Sequence, residues 1–212
     1  PVILMDSDLE GRERSGYIGM DHKEAGKLAG EDMIAVTGGN AHIGMIVSDT
    51  DDSAQRLRME GFLSAINPHK NMIVEETFES RSDRIRIRKL VSGMLQDNKR
   101  INAIFCADQT AADMLGDILQ EEGYSKNNMK VVCFGMSREI YKYLQDGTYT
   151  FSVMNDTVEM GYQAVKTLKD CINGKSGEKR IVYTEIENAD KDFDFESWKA
   201  EWENRERSCM MS

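Results

Sequence analysis

Two arginines stand two positions apart in the stretch SDTDDSAQRLRMEGFLSAI, residues 48–66, and their side chains could bind a carboxylate or a polyol. A guanidinium carries five N–H donors in a planar fork, which fits a carboxylate or a pair of sugar hydroxyls. At ~100° per residue, a helix that follows the acidic turn points Arg58 inward and Arg56 outward, towards Glu60. The inward face also carries Ala54, Gly61, Phe62 and Ala65. The spacing therefore predicts Arg58 as the arginine that holds a ligand.

Short polar side chains follow several predicted strands, and ligands bind at such strand ends in open α/β sheets. These residues are Asp6, Ser7 and Asp8; Asp49, Asp51 and Asp52; Asp108 and Gln109; and Asn155 and Asp156. Two structural alternatives stay open. Asp49 or Asp51 could form a buried salt bridge with Arg58, and residues at helix starts could serve only as caps. The candidate caps are Asp52 or Ser53, Ser82, Asp108 and Ser137.

Short β-branched runs alternate with helical patterns along the chain, and this alternation predicts an α/β fold around a mainly parallel sheet. The predicted strands are 1–6, 42–48, 71–78, 102–107, 130–135, 149–154 and 180–187. The predicted helices are 22–36, 53–66, 83–96, 110–122, 137–145 and 157–173. The helix at 22–36 repeats the small residues Ala25, Gly26, Ala29 and Gly30, which predicts close packing against a sheet.

The composition excludes several classes of function. With 37 acidic and 27 basic residues and a formal charge of −10, the chain lacks the clustered cations that nucleic acids and anionic membranes attract. The four cysteines are far apart, and the three histidines stand away from any nucleophile. Neither a zinc site nor a nucleophile–base pair can be assembled from them. We therefore predict no catalytic residue, no metal site, no cofactor and no enzymatic activity.

Seven motifs occur in an order that resembles the bacterial periplasmic sugar-binding proteins of the ribose-binding type, over about residues 1–187. They are PVILMDSD, YIGMDHKEAGKLAGE, RLRMEGF, NAIFCADQTAADMLGDILQEEG, KVVCFG, YLQDGTYTFSVMND and MGYQAVKTL. The lactose-repressor family of transcription regulators shares several of these motifs, but the QDGTYTFSV approach to Asn155 is more similar to the transport proteins. The resemblance implies an α/β fold of the type I periplasmic-binding-protein kind, with Rossmann-like parallel sheets in two lobes. It also implies that hinge closure clamps a small polar ligand, usually a sugar, between the lobes.

The resemblance assigns ligand-binding roles to five positions. Asp6 and Ser7 match ligand contacts on the first lobe, and Arg58 matches the arginine that forks onto the ligand. Asp108 stands where the family has Asn or Asp, and Asn155 takes the position of a hinge amide. Side chains of these types hydrogen-bond hydroxyl pairs, as sugar sites require.

Three departures from the family pattern bear on the ligand. Gly135 follows VVCF where the family commonly has Asp, so no side chain is available there to hold a hydroxyl. Ser82 replaces an aromatic residue that stacks on the sugar ring, which leaves Phe78 as a less well placed candidate. The first ~100 residues of the family have no counterpart, and these would form most of the first lobe.

These matches predict how the chain divides into domains. Residues 1–19 and 156–187 are expected to be the remnant of an incomplete first lobe, and residues 20–155 a complete second lobe. Residues 188–212 form a charged tail that is expected to be helical. This tail could dock on the body, pack on a partner or be vector-derived.

The leading interpretation is an extracytoplasmic solute-binding protein, in the periplasm or lipid-anchored at the cell surface. It would deliver a small polar ligand, expected to be a sugar, to an ABC permease or present it to a membrane sensor or chemoreceptor. The alternative is the effector-binding domain of a lactose-repressor-type regulator, because free cysteines suit the cytoplasm better. A signal peptide or lipoprotein cysteine would favour the binding protein, and a DNA-reading extension the regulator. The chain starts with Pro1 inside a predicted strand, which suggests a cleaved protein or a fragment and leaves the compartment open.

Overall fold

The structure, a computed structural model, describes residues 1–9, 13–175 and 180–210, and the chain forms two compact units. Unit 1 consists of Pro1–Asp21, Asn155–Glu187 and Phe193–Ser212, and unit 2 of His22–Met154 and Asn188–Asp192. The division into an incomplete first lobe, a complete second lobe and a tail, with boundaries at 19, 155 and 188, remains a prediction. Within the first-lobe and tail predictions, residues 10–12, 176–179 and 211–212 lie outside the described residues.

Strands and helices alternate along most of the chain, as the sequence predicts. In order they are β1 Ile3–Met5, β2 Gly16–Gly19, α1 His22–Thr37, β3 Asn40–Val47, α2 Ser53–Ile66, β4 Asn71–Glu79, α3 Arg84–Asp97, β5 Ala103–Cys106, α4 Gln109–Glu121, β6 Lys130–Phe134, α5 Arg138–Gln145, β7 Phe151–Asn155, α6 Thr157–Ile172, β8 Arg180–Tyr183, β9 Ile186–Ala189 and α7 Phe195–Met210. All six predicted helices are present to within a residue or two. None of the helices in the described ranges is long and apolar enough to cross a membrane.

The strands of unit 2 belong to a six-stranded sheet in the order β4-β3-β5-β6-β7-β9. The pairs β3–β4, β3–β5, β5–β6 and β6–β7 are all parallel, so the carboxyl ends of these strands meet at one edge. Phe62, Phe105 and Phe134 pack in the core, with ring centroids 4.1 Å apart for the first pair and 5.9 Å for the second. The α/β fold with mainly parallel sheets is therefore confirmed.

Unit 1 contains a three-stranded sheet in the order β1-β2-β8, and both strand pairs are parallel. Ile18 packs with Met160 and Ala164 of α6, and Ile3 and Val182 flank this cluster. The predicted strand at 180–187 is divided into β8 and β9, which belong to different sheets. The sequence analysis missed β2, whose residues GYIG contain two glycines and only one β-branched side chain.

The small residues of α1 pack against α2, and the prediction that they pack against a sheet is wrong for the two glycines. A Cβ at Gly26 would overlap the carbonyl oxygen of Arg58, and a Cβ at Gly61 would overlap that of Lys23. A Cβ at Gly30 would lie 2.7 Å from the Cβ of Ala65 and 2.9 Å from the carbonyl oxygen of Phe62. Backbone therefore touches backbone where the helices cross, and this contact fixes the position of Arg58 relative to α1.

We expect Gly26→Ala to destabilise the protein by about 3 kcal/mol or more, because the added methyl group meets rigid backbone. Gly93→Ala in α3 is the matched control, since a Cβ there meets nothing within 4 Å. The control should gain ~0.5–1 kcal/mol from reduced backbone entropy in the unfolded chain. Urea unfolding of both variants provides the measurement, and equal effects would contradict the proposed helix contact.

Candidate functional site

Arg58 lies at the carboxyl edge of the sheet in unit 2, and contacts with Ala107, His22 and Phe134 orient its guanidinium. Nη1 donates to the carbonyl oxygen of Ala107 at 2.9 Å, and Nε donates to Nδ1 of His22 at 3.2 Å. The guanidinium carbon also lies 4.5 Å from the ring centroid of Phe134. Ala107 immediately follows β5 and Phe134 ends β6, so the planar fork is held over two neighbouring strand ends.

The two arginines of the opening motif separate as their spacing predicts. Arg56 lies on the solvent-facing side of α2 and donates to Glu60 at 3.0 Å. Asp49, one candidate partner for a salt bridge with Arg58, instead pairs with Arg81. Asp52 caps α2 by accepting the backbone N–H of Gln55 at 3.0 Å, which confirms the capping interpretation for that residue.

Asp108 directly follows Ala107, whose carbonyl oxygen accepts a hydrogen bond from Arg58. The carboxylate of Asp108 accepts hydrogen bonds from residues near the strand ends. It caps α4, and one of its carboxylate oxygens accepts the N–H of Thr110 at 3.0 Å. The same oxygen accepts the hydroxyl of Ser82 at 3.2 Å, and the other accepts the hydroxyl of Ser80. Asp108 is only 4% exposed. The structure shows Asp108 as a cap, and its role in ligand binding remains a proposal.

The loop after β4 has an unusual backbone where the family carries a ring-stacking residue. Arg81 and Ser82 both have left-handed φ values, 55° and 49°, which are costly for residues with a Cβ. Ser82 does not cap α3, because Asp83 does so by accepting the N–H of Arg86 at 2.8 Å. Phe78 lines a small apolar gap beneath α3 with Val91 and Met94, so its ring belongs to that packing.

Gln109 occupies the space that a side chain at position 135 would need. Gly135 has a φ of 94°, and a Cβ built on it would collide with the side-chain amide of Gln109. The amide nitrogen of Gln109 donates to the carbonyl oxygen of Met136 at 3.4 Å. An amide therefore lies beside the position where the resemblance leads one to expect a carboxylate. From sequence alone, Gln109 is only one of several polar residues at the strand ends.

The remaining predicted site residues belong to unit 1. Asp6 follows β1 with a φ of 61°, and its carbonyl oxygen accepts the hydroxyl of Tyr17 at 2.6 Å. The N–H of Ser7 bonds the carbonyl oxygen of Met5 at 2.8 Å. Asn155 ends β7 and directly precedes Asp156, the cap of α6. The structure thus brings Arg58 and Asp108 together in unit 2 and assigns the other three residues to unit 1.

The C-terminal helix α7 contacts the start of α6 within unit 1. Arg205 pairs with Asp156, and the indole N–H of Trp202 donates to the hydroxyl of Thr157 at 3.3 Å. Burial raises the pKa of the nearby Glu187, and the charge of Asp156 adds to this effect. Part of the predicted tail is therefore an ordered helix that docks on the same unit as Asn155.

In open α/β folds, ligands bind at the carboxyl edge of the sheet, where this chain has polar side chains. The family model of the periplasmic binding protein domain matches residues 1–176, and the chain belongs to this family. Ribose import binding protein RbsB of Escherichia coli (strain K12) is 25% identical over 176 residues. This match covers 82% of the chain and 58% of the relative, so the chain spans less than two thirds of the relative's length.

Solved structures show the same likeness. GanP, a glucose-galactose binding protein from Geobacillus stearothermophilus, matches with a TM-score of 0.85 and 27% identity over 90% of this chain and 68% of that one. A chain of the XylFII–LytSN complex matches with a TM-score of 0.82 and 26% identity, covering 90% and 67%. The named relatives are binding proteins rather than enzymes, as the sequence analysis predicts for this chain.

Cys106 and Cys133 lie side by side on β5 and β6, and both are completely buried. Burial raises the pKa of the Cys106 thiol well above its ordinary value and that of Cys133 to about 12. Because the thiolate is the reactive form, neither cysteine is suited to nucleophilic chemistry. Among the described residues, no group of three or more His, Cys, Asp or Glu side chains could hold a metal ion.

We expect iodoacetamide at pH 8 to modify Cys171, which is partly exposed, and to leave Cys106 and Cys133 unmodified in the folded protein. In guanidinium chloride all three should react, because unfolding removes the burial that suppresses the thiolates. Peptide mass spectrometry of both samples provides the measurement. If Cys106 in the folded protein were alkylated as fast as Cys171, burial would not suppress the reactivity of its thiol.

Proposed function

We propose that this chain is the binding domain of an extracytoplasmic solute-binding protein, and that its ligand is a monosaccharide. The observation that carries the proposal is the position of Arg58, whose planar fork is fixed at the carboxyl edge of the sheet. Such a fork suits a pair of vicinal hydroxyls. Two relatives add support, since one is named for ribose and the other for glucose and galactose.

The other predicted contacts complete this proposal. Asp6, Ser7, Asp108 and Asn155 would bind further hydroxyls of the same ligand. Clamping of the ligand between two lobes is part of the proposal and rests on family membership alone. A ligand that contacts both lobes would favour a closed state only by its additional affinity for that state. Alanine variants of Asp6 and Arg58 should then each weaken the binding of one and the same sugar.

Delivery of the sugar to an ABC permease is the partner role that we favour, because the E. coli relative is an import binding protein. The likeness to a chain of the XylFII–LytSN complex supports a second candidate, in which the ligand-bound protein is sensed by a protein partner. Deletion of the gene separates the two roles. Loss of radiolabelled sugar uptake supports import, whereas loss of a sugar-induced transcriptional response with uptake intact supports sensing. The relatives named above are binding proteins, so nothing in them favours the alternative of a lactose-repressor-type effector domain.

The substitution that tests the site is Arg58→Ala, with Arg56→Ala as the matched control in the same helix. D-ribose, D-glucose and D-galactose are titrated separately into the full chain by calorimetry. We expect Arg58→Ala to weaken binding of the best sugar at least ~100-fold, since charge-assisted hydrogen bonds to a bound ligand are lost. Arg56→Ala should bind as the wild type does, because its guanidinium faces solvent and Glu60.

Urea unfolding of both variants separates a loss of binding from a loss of folding. Arg58→Ala should cost about 1–2 kcal/mol of stability, because Arg58 also bonds Ala107 and stacks on Phe134. A cost of this size leaves the protein folded. Unchanged sugar affinity in a folded Arg58→Ala protein would exclude Arg58 from the site.

A further inference from the structure

His22 is the first residue of α1, and its imidazole is almost completely buried, at 3% exposed. Its Nδ1 lies 3.2 Å from Nε of Arg58. The guanidinium is protonated throughout the accessible pH range, and its Nε always carries a hydrogen. Nδ1 must therefore accept this hydrogen bond. An imidazole that accepts at Nδ1 is neutral and carries its own proton on Nε2.

The crossing of α1 and α2 sets this contact. His22 and Gly26 are four residues apart, so they lie on the same face of α1. Gly26 is the residue whose missing side chain lets the backbone of Arg58 approach. The same backbone contact that brings the helices together therefore brings the imidazole to the Arg58 side chain. Both residues belong to unit 2, so the contact lies within one compact unit.

The contacts with Phe134, Ala107 and His22 each restrict a different rotation of the guanidinium. Stacking on Phe134 fixes the plane of the group, and the bond from Nη1 to Ala107 fixes one direction within that plane. The bond from Nε to His22 fixes a second direction on the opposite side of the fork. A planar group held at two points in its plane cannot rotate about its long axis. A fork that is fixed before the ligand arrives binds more tightly, because less conformational entropy is lost on binding.

We propose that His22 is the positioning residue for Arg58, and that neutral Nδ1, as acceptor, orients the guanidinium for ligand binding. The inference rests on the proposed function, because it concerns the same arginine. In this role His22 acts as a hydrogen-bond acceptor, and the volume of its ring is not decisive. Substitutions can therefore distinguish the positioning role from a purely structural role in the packing of α1 on α2.

Two substitutions separate the acceptor from the volume. His22→Asn retains an acceptor, since the amide oxygen of Asn is attached to Cγ as Nδ1 is in histidine. His22→Leu fills a comparable apolar volume without an acceptor. If packing alone matters, the two variants should behave alike or Leu should be the better replacement. If Nδ1 positions Arg58, Asn should rescue the function and Leu should not.

The first experiment needs no ligand. Nitrogen-15 NMR of the full wild-type chain at pH 7 should show His22 as a neutral imidazole with its proton on Nε2. The Nε resonance of Arg58 should be preserved in His22→Asn and shifted towards that of a solvated arginine in His22→Leu. A proton on Nδ1 of His22, or an Arg58 signal that does not change in His22→Leu, would overturn the inference.

The second experiment measures binding of D-ribose, D-glucose and D-galactose, each titrated alone into the full chain and both variants. For the sugar that the wild type binds, we expect His22→Leu to weaken affinity about tenfold, as for the loss of one hydrogen bond to a charged group. His22→Asn should stay within about threefold of the wild type. Equal losses in both variants, or no loss in His22→Leu, would overturn the positioning role.

The two experiments distinguish the failure of this inference from the failure of the proposed function. If the wild type binds none of the three sugars, the monosaccharide proposal fails, and the NMR signals still decide whether His22 orients Arg58. If the wild type binds a sugar and the Arg58 signal is the same in all three proteins, the function stands and the role of His22 is refuted.

Discussion

The contact between the backbones of α1 and α2 is the constraint on which the candidate site of unit 2 depends. A glycine within a helix costs ~0.5–1 kcal/mol relative to alanine, and this crossing uses Gly26, Gly30 and Gly61. Only residues without a Cβ let one helix touch the carbonyl oxygens of the other. The approach fixes the backbone of Arg58 and leaves only its side-chain torsions to be set. His22, Ala107 and Phe134 then set those torsions from a second helix and two strand ends.

Several polar residues at the carboxyl edge hold the fold of unit 2 together. Asp108 is buried and accepts bonds from Thr110, Ser80 and Ser82, so much of its hydrogen-bonding capacity is used within unit 2. Two consecutive left-handed residues, Arg81 and Ser82, are held in place partly by these bonds. A strained backbone persists only where its surroundings determine it. The loop after β4 is thus rigidly tied to Asp108, and the rigid edge gives Arg58 a fixed frame.

The sequence predicts secondary structure best where a single periodic pattern of side chains determines the element. The helix at 53–66 was predicted to the residue, because an acidic cap precedes it and 3.6-residue spacing separates Arg58 from Arg56. The sequence does not predict those strands whose limits depend on contacts between residues far apart in the chain. The strand β2 lacks a β-branched run, and the division of 180–187 between two sheets depends on pairing partners. The sequence around His22 gives no signal for its contact with Arg58, because Arg58 lies 36 residues further along the chain.

Gln109 shows why family membership does not transfer the ligand. A carboxylate only accepts hydrogen bonds, whereas an amide both donates and accepts. Gly135 removes the side chain that the family commonly has after this strand, and Gln109 fills the vacated space from the neighbouring strand end. A side chain at position 135 would require the exposed side chain of Gln109 to move, because the two would otherwise occupy the same volume. The two positions are therefore spatially coupled, and an amide stands beside the residue that follows Phe134, the ring on which Arg58 stacks. At 25% to 27% identity to these relatives, such a paired change is compatible with an unchanged fold and a different ligand.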